Sequence, residues 1–391
     1  MKQQFPTERE AKQQALLQAV DNVRDILAAN ADEAEALRTL PPTSVAALCD
    51  SGLLALKTPA VLGGAEADPM TQFEVLEAVS YIDSSAGWCL GIGAATLGLA
   101  AALLPEAAVA RIFASDGIPT MAGALMPGKA VAVEGGYRVS GRWSWASGIR
   151  HAEWVTATVL VNHDEGHPPD LRMLIVPATQ VEILDNWHVA GMKGTGSFDF
   201  ALSDVFVPTV FSYDLVALQP QRGGPLYNLG IPGFVIYEHA AFALGVARRA
   251  LDAISHLAQS KGRGYGKAVP LASRAVFQRA VAEGDLQLRA ARALMFEVME
   301  KAWATVSAGR LLDLRQQAEL RGATTWVNDV ALEVTTAAFR YGAGSAIRLD
   351  NILQRCLRDL QVEVSHLMVN DSAYENYGQF LLGLPTADPM G

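Results

Sequence analysis

Eighteen consecutive residues without a charge, Gly87 to Leu104, constrain this 391-residue chain more than any other stretch. A run of that length sits at the lower edge of what crosses a bilayer. It is rich in Gly and Ala and has no belt of Lys/Arg or aromatic residues at its two ends, which reads as a buried helix and not a membrane span. Half of the residues are hydrophobic and 18% are charged, enough for a large core and incompatible with intrinsic disorder. The net charge of −10 comes with no basic stripe, which argues against a nucleic-acid partner. The N-terminal stretch is polar and charged, unlike a secretory signal. The expectation is a soluble, cytoplasmic protein with no membrane partner.

Hydrophobic periodicity divides the chain into three. Residues 1–117 read as helical: Ala11 to Ala34, then Val45–Cys49 with Thr43 or Ser44 as its cap and Gly52 as its stop, then Met70 to Ile82 and the uncharged run. Residues 118–225 switch to period two. Ala130–Val133 and Tyr137–Trp143 flank the turn Glu134-Gly135-Gly136, and further strands fall at Trp154–Val161, Met173–Val176 and Phe198–Val207. An antiparallel β domain is expected there. Residues 226–391 return to helical spacing in four segments, Phe234–Ala258, Ser273–Ser307, Leu311–Phe339 and Asn351–Val369, which predicts a four-helix bundle.

Several chemistries are excluded. No G-x-G-x-x-G follows a strand, and Gly266-Lys267-Ala268 lacks the Ser/Thr and upstream glycine spacing of a P-loop. There is no H-E-x-x-H and no G-x-S-x-G. His163 and His167, the one histidine pair four residues apart, adjoin Pro168-Pro169 in a predicted loop. Cys49, Cys89 and Cys356 are too scattered for a disulfide framework or a zinc site, so no metal is expected. An enzyme with this sequence needs a cofactor from outside these motif classes.

Five stretches, in order, carry a resemblance: Asp50-Ser-Gly-Leu-Leu through Leu62-Gly-Gly; Gly141-Arg-Trp-Ser-Trp-Ala-Ser-Gly; Gly191-Met-Lys-Gly-Thr-Gly-Ser-Phe-Asp-Phe with Val205-Phe-Val-Pro; Arg274-x-x-Phe277-Gln278; and Gln354-Arg-Cys-Leu-Arg-Asp. Together they resemble the acyl-CoA dehydrogenase fold over nearly the whole chain, which implies a mostly α protein with N-terminal helices, a barrel-like antiparallel β domain and a C-terminal four-helix bundle. The glutamate run that most of those dehydrogenases carry after Arg-Asp is absent, and His366 stands near its place. Ser147-Gly148 and Ser84-Ser-Ala-Gly-Trp88 are similar to runs of the flavin-dependent monooxygenases built on this fold, the two-component hydroxylases similar to 4-hydroxyphenylacetate 3-hydroxylase and dibenzothiophene monooxygenase, with indole-3-acetate monooxygenase among the candidates.

The resemblance implies a reduced flavin, FADH2 or FMNH2, supplied by a separate flavin reductase and bound between the β domain and the bundle. It also implies O2 as co-substrate, a C4a-hydroperoxyflavin, and a small phenol- or indole-acetate-like substrate. A homotetramer is implied as well. His366 and Ser147 are the expected catalytic residues: His366 as a base titrating near neutrality, Ser147 as a donor to the flavin. Trp145, Ser147, Thr195, Arg274, Phe277, Gln278, Gly342 and Gly344 are the expected cofactor contacts. Trp88, Thr96, Glu238 and His366 are the expected substrate contacts. Each has a plainer reading: Trp145 and Trp88 as core residues, Ser147 as a turn serine, Arg274 as part of a solvated basic face, Gly342 and Gly344 as a helix cap, and His366 as a satisfied bundle histidine. Two alternatives accompany the monooxygenase reading: an acyl-CoA dehydrogenase with bound FAD and Glu238 as base, and a non-catalytic flavin- or acyl-binding relative.

Overall fold

The computed structural model describes residues 5–115, 117–162, 169–263 and 269–389. His163, His167 and Gly266-Lys267-Ala268 lie outside these. By its contacts the chain falls into two units, one made of the residues up to Gln72 with Trp88–Val189 and Lys193–Gly230, the other of Phe73–Gly87, Ala190–Met192 and the residues from Ile231 onward.

In the first unit, helix α1 (Arg9–Leu37) starts where the Glu8 carboxylate accepts from the Glu10 and Ala11 amides, and it buries Leu16, Val20, Val23, Leu27, Ala31 and Ala34 at three- and four-residue steps. Helix α2 (Pro42–Asp50) begins at a proline, and neither Thr43 nor Ser44 caps it as expected. Both hydroxyls instead accept from Asn30 Nδ2 of α1, at 2.8 and 3.0 Å. Helix α3 (Pro69–Ile82) falls mostly in the second unit, whereas most of α4 (Ser84–Leu103) and all of α5 (Glu106–Ile112) belong to the first. The apolar window of α4 is long enough to cross a membrane, but 89% of it is buried within the protein, so α4 is a core helix. Its glycines allow this: a Cβ on Gly98 would lie 2.8 Å from the backbone of Lys57.

The β domain is one seven-stranded sheet in the order β5-β6-β2-β1-β3-β4-β7. Its strands are β1 (Met121–Val133), β2 (Gly136–Ala146), β3 (Trp154–Asn162), β4 (Asp170–Pro177), β5 (Glu182–Leu184), β6 (Phe198–Pro208) and β7 (Ser212–Asp214). The predicted β1–β2 hairpin is present, with Val133 opposite Gly136 and Gly135 at φ +77°. The sheet is not antiparallel throughout: β1 runs parallel to β3, because the β2 hairpin occupies the other edge of β1 and β3 reaches it by a crossover. Along β2 and β6 the register shifts between Trp143 and Ala146. That irregularity re-aims the end of β2.

The second unit is the helical bundle. It holds α6 (Ile236–Ser260), α7 (Ala275–Ser307), α8 (Leu314–Ala346), α9 (Ile352–Glu363) and α10 (Ser372–Leu381); β8 (Gly262–Arg263) and β9 (Val269–Pro270) pair between α6 and α7. Asp313 and Gln316 form a capping box that starts α8. The fourth predicted helix, Asn351–Val369, is cut short: α9 ends at Glu363 and His366 lies off it in an extended conformation, φ −73° and ψ 141°. The buried Arg321 of α8 is the physical reason. It donates to the carbonyls of Leu367 and Met368, both at 3.1 Å, and so removes acceptors that a longer helix would need.

Candidate active site

In the first unit the shifted register at the end of β2 separates two tryptophans. Trp143 is buried and stacks on Phe200 with ring centroids 5.3 Å apart. Trp145 is 62% exposed and takes φ +67°, a conformation costly for an aromatic residue, with its amide donating to Asp199 Oδ1. The core reading of Trp145 is therefore replaced by an exposed indole on a strained strand end.

Two residues further on, Ser147 is buried in a chain of neutral groups. The Trp88 indole N–H of α4 donates to Ser147 Oγ at 2.8 Å. Ser147 Oγ lies 2.7 Å from Ser197 Oγ, and Ser197 Oγ lies 2.7 Å from Thr195 Oγ1. The Thr195 carbonyl accepts from the Gly148 amide at 2.8 Å and from Cys89 Sγ at 3.5 Å. An indole N–H only donates, so Ser147 accepts there. A hydroxyl oxygen has two lone pairs, so Ser147 can accept from Ser197 as well and keep its own proton for a third group. The structure thus brings together Trp88, Ser147 and Thr195. Thr96 is placed on α4 with its hydroxyl turned to the backbone carbonyls of Ile92, Gly93 and Met121, at 2.8 to 3.3 Å.

In the second unit the ionisable groups gather around His366. The rings of His366 and His239 lie 4.7 Å apart between centroids, at 46°. His239 Nδ1 is 2.5 Å from Glu363 Oε1, and both side chains are more than nine-tenths buried. Glu238, also buried, precedes His239 in the first turn of α6. Burial first, then the charge of His239, lower the His366 pKa to about 3. The ring is thus neutral at neutral pH, and the expected titration near neutrality is corrected. One turn earlier, Asp359 accepts from Ser84 Oγ and from the Met192 amide, both at 2.5 Å, while Arg358 reaches the Ala190 carbonyl at 2.5 Å. The Arg-Asp pair therefore clamps the 190–192 segment.

The expected cofactor contacts of this unit are more open. Arg274 is the exposed N-cap residue of α7, and among the described residues its guanidinium has no acidic partner. Gln278, one turn on, is exposed and donates to the Ala272 carbonyl at 3.0 Å, while Phe277 is buried edge-on to Tyr341. Gly342 and Gly344 flank Ala343, whose φ of +45° breaks α8 inside its length and not at its end. The Gly342 carbonyl accepts from Lys261 Nζ, and a Cβ on Gly344 would meet nothing within 4 Å. An uncompensated guanidinium and an exposed indole suit the phosphate and the planar ring of a flavin respectively. Among the described residues no cluster of His, Cys, Asp and Glu is arranged to hold a metal.

Sequence reasoning missed His239 with Glu363, and Ser197. His239 and Glu363 are 124 positions apart and belong to no motif. The available signal was the i, i+4 spacing of Asp359 and Glu363, two carboxylates on one helix face that the structure buries.

Residues 10–106 match the acyl-CoA dehydrogenase N-terminal domain and residues 237–371 the acyl-CoA dehydrogenase C-terminal domain. The chain is 31% identical to an indole-3-acetate monooxygenase of Pseudomonas putida, over 93% of this chain and 92% of the relative. It is 30% identical to the oxygenase component of an FADH2-dependent resorcinol hydroxylase of a Rhizobium species, over 96% and 95%. The crystal structure of the HsaA monooxygenase from M. tuberculosis superposes with a TM-score of 0.89 at 26% identity, over 97% of this chain and all of that one. The chain belongs to the flavin-dependent monooxygenases built on the acyl-CoA dehydrogenase fold.

Proposed function

We propose that this protein is the oxygenase component of a two-component system that hydroxylates a small aromatic or heteroaromatic compound, phenol- or indole-acetate-like, in the cytoplasm. The observation that carries the reading is the buried chain Trp88–Ser147–Ser197–Thr195 at a strained strand end, two residues from the exposed Trp145. Reduced flavin, delivered as FADH2 or FMNH2 by a separate reductase, supplies the activation of O2 when bound. Ser147 holds a proton ready for a flavin acceptor, Trp145 offers its face to a planar ring, and Arg274, with the helix start behind it, suits the flavin phosphate. The apolar α4 helps to exclude water. His366 and Glu238 would meet the substrate. Exposed apolar residues of the bundle, among them Leu286, Leu349 and Leu382, support a homotetramer, which light scattering on the purified protein tests.

The relatives above are monooxygenases, so the acyl-CoA dehydrogenase and non-catalytic alternatives are not carried forward. The test is product formation. The purified chain, supplied with a flavin reductase, NADH, flavin and O2, should convert indole-3-acetate or resorcinol to a hydroxylated product. Flavin oxidation that yields only hydrogen peroxide with a panel of phenols and indoles would count against the reading.

A further inference from the structure

We infer that a hollow in the first unit, walled by Trp154, Phe206 and Phe211 and rimmed by Arg111 and Gln180, is a binding site for a single-ring aromatic carboxylate. None of the flavin or substrate contacts assigned above lines it, so the hollow is a second site, independent of the hydroxylase reading.

The hollow forms where two strands stop. β4 and β6 end at Pro177 and Pro208, which have no amide N–H to carry a ladder further. After β6 the chain turns at Thr209–Phe211, and α5 packs against that turn. Phe211 is 4% exposed, and its ring stacks on that of Trp154, 5.7 Å between centroids and 13° between planes. Phe206 of β6 is 41% exposed. The space between these side chains is about 160 Å³, close to the roughly 150 Å³ of a dry protein cavity that takes up one benzene ring. One ring matches that room, whereas a flavin or a nucleotide needs a larger cleft.

The charge at the rim selects the ligand. Arg111, in the last turn of α5, is exposed, with its guanidinium carbon 5.1 Å from the Phe211 ring centroid. Among the described residues it makes no ion pair and no hydrogen bond. Arg38, Arg138, Arg150 and Arg172 of the same unit also lie over aromatic rings, but each donates to an oxygen, of Asp185, Asp204, Asp185 and Ser212 respectively. Arg111 thus keeps all of its N–H donors for a ligand. No Asp or Glu lines the hollow, and Glu106, in the first turn of α5, is turned to Arg222 at 3.4 Å. Gln180 adds an exposed side-chain amide on the turn after Pro177. A carboxylate accepts two parallel N–H bonds from a guanidinium, and the ring that carries it covers Phe206 and meets the Trp154–Phe211 stack. An aliphatic acid lacks the second half of that match, and a neutral aromatic lacks the first.

The test uses the full-length protein without flavin, with 4-fluorobenzoate as the probe and fluorine NMR as the readout. Two competitors are read by their displacement of the probe. 4-Fluorobenzamide has the shape without the charge and should bind about tenfold more weakly; cyclohexanecarboxylate has the charge without the aromatic face and should bind about fivefold more weakly. Arg111→Gln should weaken the probe about tenfold, the size of a lost charge-assisted hydrogen bond, and Phe206→Ala about fivefold. Both side chains are exposed, so neither change threatens folding. The place is read directly: benzoate should protect Arg111 from phenylglyoxal, followed by mass spectrometry of the peptides. No saturable binding of the probe, unchanged affinity in Arg111→Gln, or an unprotected Arg111 overturns the site. Equal affinity for the amide overturns the carboxylate. An oligomer that binds no probe and dissociates in Phe206→Ala, seen by light scattering, makes the hollow an interface between copies of this chain and refutes the proposal. A wild type that hydroxylates nothing would refute the functional reading and leave the binding result to decide this site.

Discussion

The two polar clusters of this molecule are built on opposite principles. The chain from Trp88 through Ser147 and Ser197 to Thr195 contains no charge. Every hydroxyl in it can both donate and accept, so the chain carries its hydrogen bonds without any group having to change charge. The cluster of Glu363, His239 and His366 is made of buried ionisable groups, and its carboxyl group keeps one oxygen unpaired among the described residues. The comparison teaches that a neutral network can hand a proton to a ligand at any ordinary pH, whereas a charged one fixes a single protonation state within a pH window.

Predictions from this contrast run from large to small. Ser147→Ala removes the one donor the neutral chain offers outward; product formation should fall about 10- to 100-fold, as when a positioned donor is lost, and by the same factor from pH 6.5 to 8.5. A loss confined to one end of that range would break the comparison. Arg274→Ala should weaken binding of reduced flavin about tenfold, measured by anaerobic titration, in line with one lost charge-assisted hydrogen bond. Trp88→Phe leaves Ser147 without its indole donor and should lower stability by about 1 kcal/mol in urea unfolding, with a smaller loss of activity.

The charged side makes the fourth prediction, a pH effect on stability. Burial lowers His151 to about 4, and burial with His239 lowers His366 to about 3, from an ordinary 6.5. Between those values and 6.5 the unfolded chain binds more protons than the folded one, so acid favours unfolding. Their stabilising contribution is complete above pH ~6.5 and is lost as pH falls towards 4 and then 3. Melting temperature should fall across that window, and His151→Phe should flatten the decline. A decline that is unchanged in the variant would detach it from His151.

Much of this was legible in the sequence, for physical reasons that also mark where reading stops. The uncharged run became α4 and the period-two residues became β1, β2, β3, β4 and β6, because burial on one or both faces imprints periodicity. The end of α9 was not legible. Apolar spacing continues to Val369, and the interruption comes from Arg321, far away in sequence. The caps on α2 misled for the same reason: Asn30 competes for Thr43 and Ser44. Strands β5 and β7, three residues each, are too short to carry a period. In the candidate site, His366 and Ser147 were found through resemblance, whereas Glu363 and His239 meet only through the packing of α6 on α9.

The central claim is that this chain binds reduced flavin and governs its reaction with O2. The most direct measurement is anaerobic mixing of the protein with FMNH2, and separately with FADH2, followed by oxygen in a stopped-flow spectrometer. The account predicts that one of the two flavins is oxidised more slowly than free flavin, through a spectrally distinct protein-bound species whose lifetime shortens in Ser147→Ala. Oxidation of both flavins at the rate seen without protein would contradict it.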